Sequence, residues 1–238
     1  MLSRLLQKPT IDWHGKYLAK RERASHPALL DFYSAPLPER TTPINQIKFL
    51  ALDFETTGLD RDKDEIITVG MVPFDLNRIY LNQAQHWLVK PRKALKESSI
   101  VIHGITHNDI MNAPDLSLYL QQIISAMKGY IVVAHYHAIE RYFFSNAVKR
   151  QLGEEIEFPI VDTMDVEENI IRRHYGLMSR LKGESKPSVR LGATRARYSL
   201  PPYSPHHALT DAIATAELLQ AQISQHFDPS TPIEQFWL

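Results

Sequence analysis

The chain has 238 residues, and its 27 Lys and Arg balance 27 Asp and Glu, so the formal net charge is zero. Hydrophobic residues make up 44% and charged residues 23%, the balance of a globular domain that can bury a sizeable core. There is no cysteine, which excludes disulfides and thiolate zinc sites, and no apolar run approaches the roughly 18 residues of a membrane span.

Residues 1–45 read as an extension. Trp13, Tyr17, Leu18, Leu29, Leu30, Phe32 and Tyr33 suggest one or two short helices packed on something else, and Pro36, Pro38 and Pro43 mark a linker. A structural collar and a docking arm for a partner or nucleic acid both fit. Met1–Pro9 lacks the long apolar stretch and cleavage site of a secretory leader, and the absence of cysteine fits a reducing cytoplasm, the expected location.

Residues 46–226 read as an α/β domain, with 227–238 as a tail. Ile47–Phe54 predicts the first strand, Glu65–Asp75 a second with β-branched residues, and Ile79–Val89 a third that completes an antiparallel meander. Short helical turns are expected at Ser98–Ile100 and Asp109–Met111. Helix Leu116–Met127, strand Tyr130–Ala134, helix Ala138–Leu152, strand Ile160–Asp162, helix Asp165–His174 and a long last helix over 208–226 follow. Strands first and then β–α alternation imply a mixed sheet covered by helices on both faces.

The first strand delivers two carboxylates. Side chains alternate along a strand, so Asp53 and Glu55 point to one face before the run breaks at Thr56-Thr57-Gly58. Paired carboxylates repel and resist desolvation, a conflict that a hard divalent cation resolves. The pair alone is a common strand-end feature. A further acidic segment follows Pro201, Pro202 and Pro205, which keep the last helix from starting earlier. Asp211 then lies in its first turns and His206 at its mouth. Five helical residues turn a side chain by about 140°, so the two converge only if His206 sits in the preceding loop. A polar helix start with a solvated histidine is the plainer reading of this segment alone.

Taken together, Asp-Phe-Glu-Thr-Thr-Gly-Leu at 53–59 and His-His-Ala-Leu-Thr-Asp-Ala at 206–212 resemble the first and last motifs of the DEDDh 3′–5′ exonucleases, the group of the epsilon proofreading subunit of bacterial replicative polymerase. Ile-His-Gly-Ile-Thr at 102–106 matches a further landmark. Val133-Ala134-His135-Tyr136-His137-Ala138-Ile139-Glu140 occupies the place of the middle motif, with Glu140 where the family has Asp and Tyr136 where it has Asn. The resemblance covers about residues 46–222.

That resemblance implies a ribonuclease H-like fold, with a mixed five-stranded sheet and helices on both faces. It implies a metal-dependent 3′–5′ exonuclease releasing nucleoside 5′-monophosphates from single-stranded 3′ ends, with DNA as the expected polymer. Asp53, Glu55 and Asp211 would hold two divalent cations, Mg²⁺ or Mn²⁺, with Asp53 as the bridge. Glu140 would orient the attacking water or complete an ion's shell, and His206 would be the general base. Thr56, Thr57, Gly58, Leu59, His103, His135 and Tyr136 would contact the terminal nucleotide. His137, His174 and His207 match no functional position. Asp162 reads as a helix cap. A separate polymerase partner is expected as possible company, and no membrane.

Two other readings fit the same residues. One is an RNA-trimming or short-oligonucleotide exonuclease. The other is a non-hydrolytic nucleic-acid or nucleotide-binding module weakened by Glu140 and Tyr136, against which the retention of Asp53, Glu55, His206 and Asp211 argues. Between 172 and 197, Arg172, Arg173, Arg180, Lys182, Lys186, Arg190, Arg195 and Arg197 face only Glu184. This run reads either as a solvated surface or as an electropositive lip for a phosphodiester backbone.

Overall fold

The computed structural model describes residues 11–93, 103–174 and 185–238. The expected turn at Ser98–Ile100 lies outside them. Five strands form one sheet in the order β3-β2-β1-β4-β5: β1 Phe49–Thr56, β2 Ile66–Phe74, β3 Gln85–Leu88, β4 Ile131–Ala134 and β5 Ile160–Asp162. β1 runs antiparallel to β2 and parallel to β4, which is parallel to β5. Every residue of β2 is buried, so both faces of the sheet are covered there.

The described helices are α1 Trp13–Arg23, α2 Pro27–Ser34, α3 His107–Met111, α4 Ser117–Met127, α5 Ala138–Leu152, α6 Thr163–His174, α7 Leu191–Arg197 and α8 Ala208–His226. Local chemistry sets their limits. Asp12 caps α1 by accepting from the Gly15 amide at 3.0 Å. Gly153, at φ 78°, closes α5 in the left-handed conformation that suits glycine. Thr106 and Asp109 form a reciprocal capping box on α3. The prolines before residue 206 leave α8 to begin at Ala208.

The third strand is shorter than the sequence suggests. Only Gln85–Leu88 pairs with β2. Upstream, Asp75 accepts from the Asn77 and Arg78 amides and from the Tyr80 hydroxyl, and this tight turn feeds a 3₁₀ turn at Leu81–Gln83. Those contacts divert the backbone from the ladder before residue 85. Helix α7 was not anticipated, because its seven residues are too few to show a hydrophobic period.

The extension and the tail both pack on the sheet domain. Tyr17, Phe32 and Tyr33 form an aromatic cluster, and the Tyr33 hydroxyl accepts from the Glu157 amide at 2.9 Å. Glu154 accepts from the Ser25 and His26 amides. Trp237 bridges to Val161, and the Leu238 amide donates to Ile160 at 2.8 Å, covering the open edge of β5. Phe227 and Phe236 stack edge to face within the same core.

One glycine sets the depth at which α8 seats. Gly70 of β2 pairs with Asp53 of β1. A Cβ on Gly70 would lie 2.2 Å from the Ala208 carbonyl carbon and 2.3 Å from the Leu209 nitrogen. The backbone at the start of α8 therefore rests directly on the backbone of β2, one strand away from Asp53.

Candidate active site

Asp53 and Glu55 leave the same face of β1, as strand alternation requires, and α8 brings Asp211 to them. One oxygen from each of the three lies within 4.8 Å of the others. Glu55 and Asp211 are buried. Burial first, and then the charges of Glu140, Asp211 and Glu55, hold the Asp53 carboxyl well above the ordinary range. Burial likewise raises Asp211, against the stabilising hydrogen bonds it accepts.

Those bonds define the mouth of α8. Oδ2 of Asp211 accepts from the His206 amide at 2.7 Å and the His207 amide at 3.1 Å. They hold His206 at φ 69°, a left-handed conformation costly for a residue with a Cβ. His206 is thus in the loop before the helix, the one place from which it and Asp211 can share a site. His207 caps the helix by accepting from the Thr210 amide and stacks on His86 with centroids 4.7 Å apart. Burial and the neighbouring His207 push His86 down.

Glu140 lies in the first turn of α5 and is 2% exposed. It is not part of their 4.8 Å grouping, although its charge acts on Asp53, and its Oε2 has no hydrogen-bond partner. Burial raises its carboxyl, and the charges of Asp162 and Glu55 add to this. A partnerless buried oxygen beside three mutually repelling carboxylates is a donor set that fits a hard divalent cation.

A cleft of about 1310 Å³ opens over these carboxylates. Thr56, Thr57, Gly58, Leu59, His103, His135 and His206 line it. The turn at Gly58 is held by Thr56 Oγ1 donating to the Gly58 carbonyl at 2.7 Å and by the Thr57 amide donating to Glu65. It presents Leu59 with 80% of its surface exposed. His103 sits against Glu55, and their side chains are 13% and 7% exposed. His135 bonds Thr163 Oγ1 at 2.8 Å, and burial lowers its basicity. Tyr136 is not part of the lining. It is half-exposed at φ 76° on the loop beside the cleft.

Asp162 fixes that loop and also caps α6. It accepts from the Tyr136 and His137 amides, the His137 ring and the Met164 amide. Burial alone would raise its carboxyl, but these donors outweigh burial and hold it below the ordinary value. His137 is therefore a structural partner, and the side chain of His174 lies outside the described residues.

The far wall of the cleft comes from α7 and the proline-rich loop after it, with Leu191, Leu200, Pro201 and Pro202. Two residues there were not singled out from the sequence for this role. Tyr203 hydrogen-bonds Asp211 through its hydroxyl. The Arg195 guanidinium lies 5.0 Å from the Tyr203 ring centroid and donates to the Ala214 carbonyl at 2.7 Å and the Pro201 carbonyl at 3.0 Å. It also pairs with Glu217 at 2.7 Å. Arg195 is buried although it lines the cleft, and the exposed Arg197 pairs with Glu167 at 2.8 Å, so both charges are tied to partners within the domain. Arg190 also lines the cleft, while Arg180 and Lys182 lie outside the described residues.

The family model described as Exonuclease, of RNase T type, matches residues 50–219. A PolC-type DNA polymerase III from Thermotoga maritima is 32% identical over 171 residues, which is 71% of this chain and 11% of that protein. The DNA polymerase III epsilon subunit of Treponema pallidum is 25% identical over 180 residues, 76% of this chain and 78% of the relative. The chain thus spans about a tenth of the PolC-type relatives. Among solved structures, E. coli exonuclease I in complex with a dT13 oligonucleotide superposes with a TM-score of 0.61 at 17% identity, covering 76% of this chain and 42% of that one. The nuclease domain of 3′hExo, a DEDDh family member bound to rAMP, superposes at 0.58 and 15% identity, covering 75% and 92%. At these identities the two structures speak to the fold, which they share with this chain.

Proposed function

The chain belongs to the DEDDh 3′–5′ exonuclease family, and from that premise we propose that it releases nucleoside 5′-monophosphates one at a time from single-stranded 3′ ends of DNA. The observation that carries this reading is the convergence of Asp53, Glu55 and Asp211 within 4.8 Å at the floor of a cleft whose rim holds His206. A binding module has no need for buried carboxylates forced together against their own repulsion.

Asp53, Glu55 and Asp211 would hold two divalent cations, Mg²⁺ or Mn²⁺, and Glu140 would orient the attacking water or complete an ion's shell. When bound, such ions lower the pKa of an attacking water and stabilise the departing 3′ oxygen. His206, at the solvent edge, takes the water's proton on a neutral ring nitrogen. The hydrogen bonds from its amide and that of His207 to Asp211 tie the base to the floor of the site, so the two move together. The Thr56–Gly58 backbone lets the terminal nucleotide approach closely, and exposed Leu59 packs on its base. His103 and His135 contact the scissile nucleotide, and Tyr136 offers an aromatic face beside the cleft to the strand that follows. The likeness to epsilon and PolC-type relatives supports work alongside a DNA polymerase.

The test is release of monophosphate from 5′-labelled single-stranded DNA and RNA of one sequence, with Mg²⁺, Mn²⁺ or EDTA. The expected result is a ladder shortening from the 3′ end, dependent on metal, faster on DNA and lost in Asp53→Ala. A preference for RNA would move the substrate to the trimming class. Activity in EDTA, or undiminished activity in Asp53→Ala, would sink the mechanism. Silence of the native protein with activity in Glu140→Asp would make the chain a binding module.

A further inference from the structure

We propose that Glu55, His103 and His206 form a second cation site, one that takes a transition-metal ion of the zinc type and shares Glu55 with the acidic cradle. One ligand atom from each of the three lies within 4.8 Å of the others. The two imidazole rings meet nearly at right angles, 75° apart with centroids 5.9 Å from each other. Nδ1 of His103 contacts the Glu55 carboxylate, so one imidazole already stands at that ligand and the other is the ring beside it. The site is half-enclosed: His103 and Glu55 are largely buried, and His206 closes it from the rim.

Donor chemistry separates the two cradles. Asp53, Glu55 and Asp211 offer oxygen alone, which suits Mg²⁺ or Mn²⁺. Two imidazoles and one carboxylate suit zinc, which binds histidine nitrogen at about 2.0–2.1 Å and leaves a fourth position to water. The strained backbone of His206 gives a second reason to assign the residue a fixed role, since φ 69° persists only where its surroundings over-determine it.

Glu55 makes the two cradles compete. A carboxylate drawn toward His103 and His206 is turned away from Asp53 and Asp211, and two cations so close repel. A zinc-type ion also occupies the lone pair with which His206 would accept a proton. If the exonuclease reading holds, such an ion is an inhibitor that acts by capturing the base. The site itself depends only on the geometry and not on that reading.

X-ray absorption at the zinc edge, on metal-free protein given one equivalent of Zn²⁺, reads the site directly. Two imidazole nitrogens in the zinc shell are expected. In His103→Gln, one imidazole should disappear and Zn²⁺ affinity fall by about tenfold or more. In Asp53→Asn, Mn²⁺ binding followed by electron paramagnetic resonance should weaken while the zinc spectrum keeps both imidazoles. No Zn²⁺ binding, an oxygen-only shell in the native protein, or a spectrum unchanged by His103→Gln would overturn the proposal. So would an anomalous-scattering peak confined to the cradle of Asp53 and Asp211 in crystals soaked with Zn²⁺. Two imidazoles on zinc in a protein that cleaves nothing would uphold the site and remove the exonuclease reading instead.

Discussion

Replacing Asp53 with Asn should make the metal-free protein more stable even as it destroys the proposed activity. Asp53 has two carboxylate neighbours, Glu55 and Asp211, within 4.8 Å. At an effective dielectric of about 20, each like-charge pair at that distance costs about 3.5 kcal/mol when fully ionised. The cluster escapes part of this by binding a proton, so the gain on neutralising Asp53 at neutral pH should be on the order of 2 kcal/mol. In a chain of this length that corresponds to about 4–8 °C in Tm. The sign follows from the raised carboxyl. The native protein is unpenalised below the ordinary Asp value of about 4 and loses stability as pH climbs through the elevated folded value. The variant lacks that loss. Thermal unfolding followed by circular dichroism in EDTA should show Asp53→Asn melting higher at neutral pH, with the gap closing toward pH 4. Mg²⁺ should raise the native protein more than the variant, because binding to the folded state adds stability by mass action. An Asn variant that melts at or below the native protein in EDTA at neutral pH would refute the picture of a frustrated carboxylate cluster.

Tyr203→Phe removes the hydroxyl that Asp211 accepts from and leaves the ring under Arg195 in place. A hydrogen bond to a charged group contributes about 1.5–3 kcal/mol. The Mn²⁺ concentration for half-saturation should therefore rise by about tenfold or more, and an unchanged titration would exclude Tyr203 as a positioning residue. Gly70→Ala sets a methyl group against backbone rather than a yielding side chain, so α8 must lift. A loss of about 1–3 kcal/mol is expected, with a fall in monophosphate release as His206 and Asp211 move. A variant that melts with the native protein and keeps its rate would show that the helix seat is softer than the contact distances imply.

Much of this was legible because the period of the sequence matched the element. Helices α5 and α8 and strand β5 fall where alternation and helical spacing put them, and Asp53 and Glu55 share a face for the same reason. What stayed hidden had no period. Tyr203 sits among prolines where neither a helical nor a strand rhythm runs. Arg195 reads in sequence as one cation in a basic run, because the residues that bury it, Pro201, Ala214 and Glu217, only become neighbours when α7 folds against α8. Tyr136 and His206 stand out in the sequence for their side chains but not for their backbone conformation, since positive φ leaves no mark on a non-glycine. Gly70 was invisible among the apolar residues of β2, where the missing side chain matters only because another segment arrives there.

The resting of α8 on the bare backbone at Gly70 also fixes when the site comes into being. Asp53 belongs to the first strand and Asp211 to the last helix, with more than 150 residues between them. No intervening side chain spaces them, so their separation is set when one backbone lands on another. A chain still short of residue 208 holds Asp53 and Glu55 on one strand but lacks Asp211, the third member of the cradle. Every strand of the sheet lies before residue 163, so docking of the last helix, and not closure of the sheet, is the step that brings Asp211 to Asp53 and Glu55.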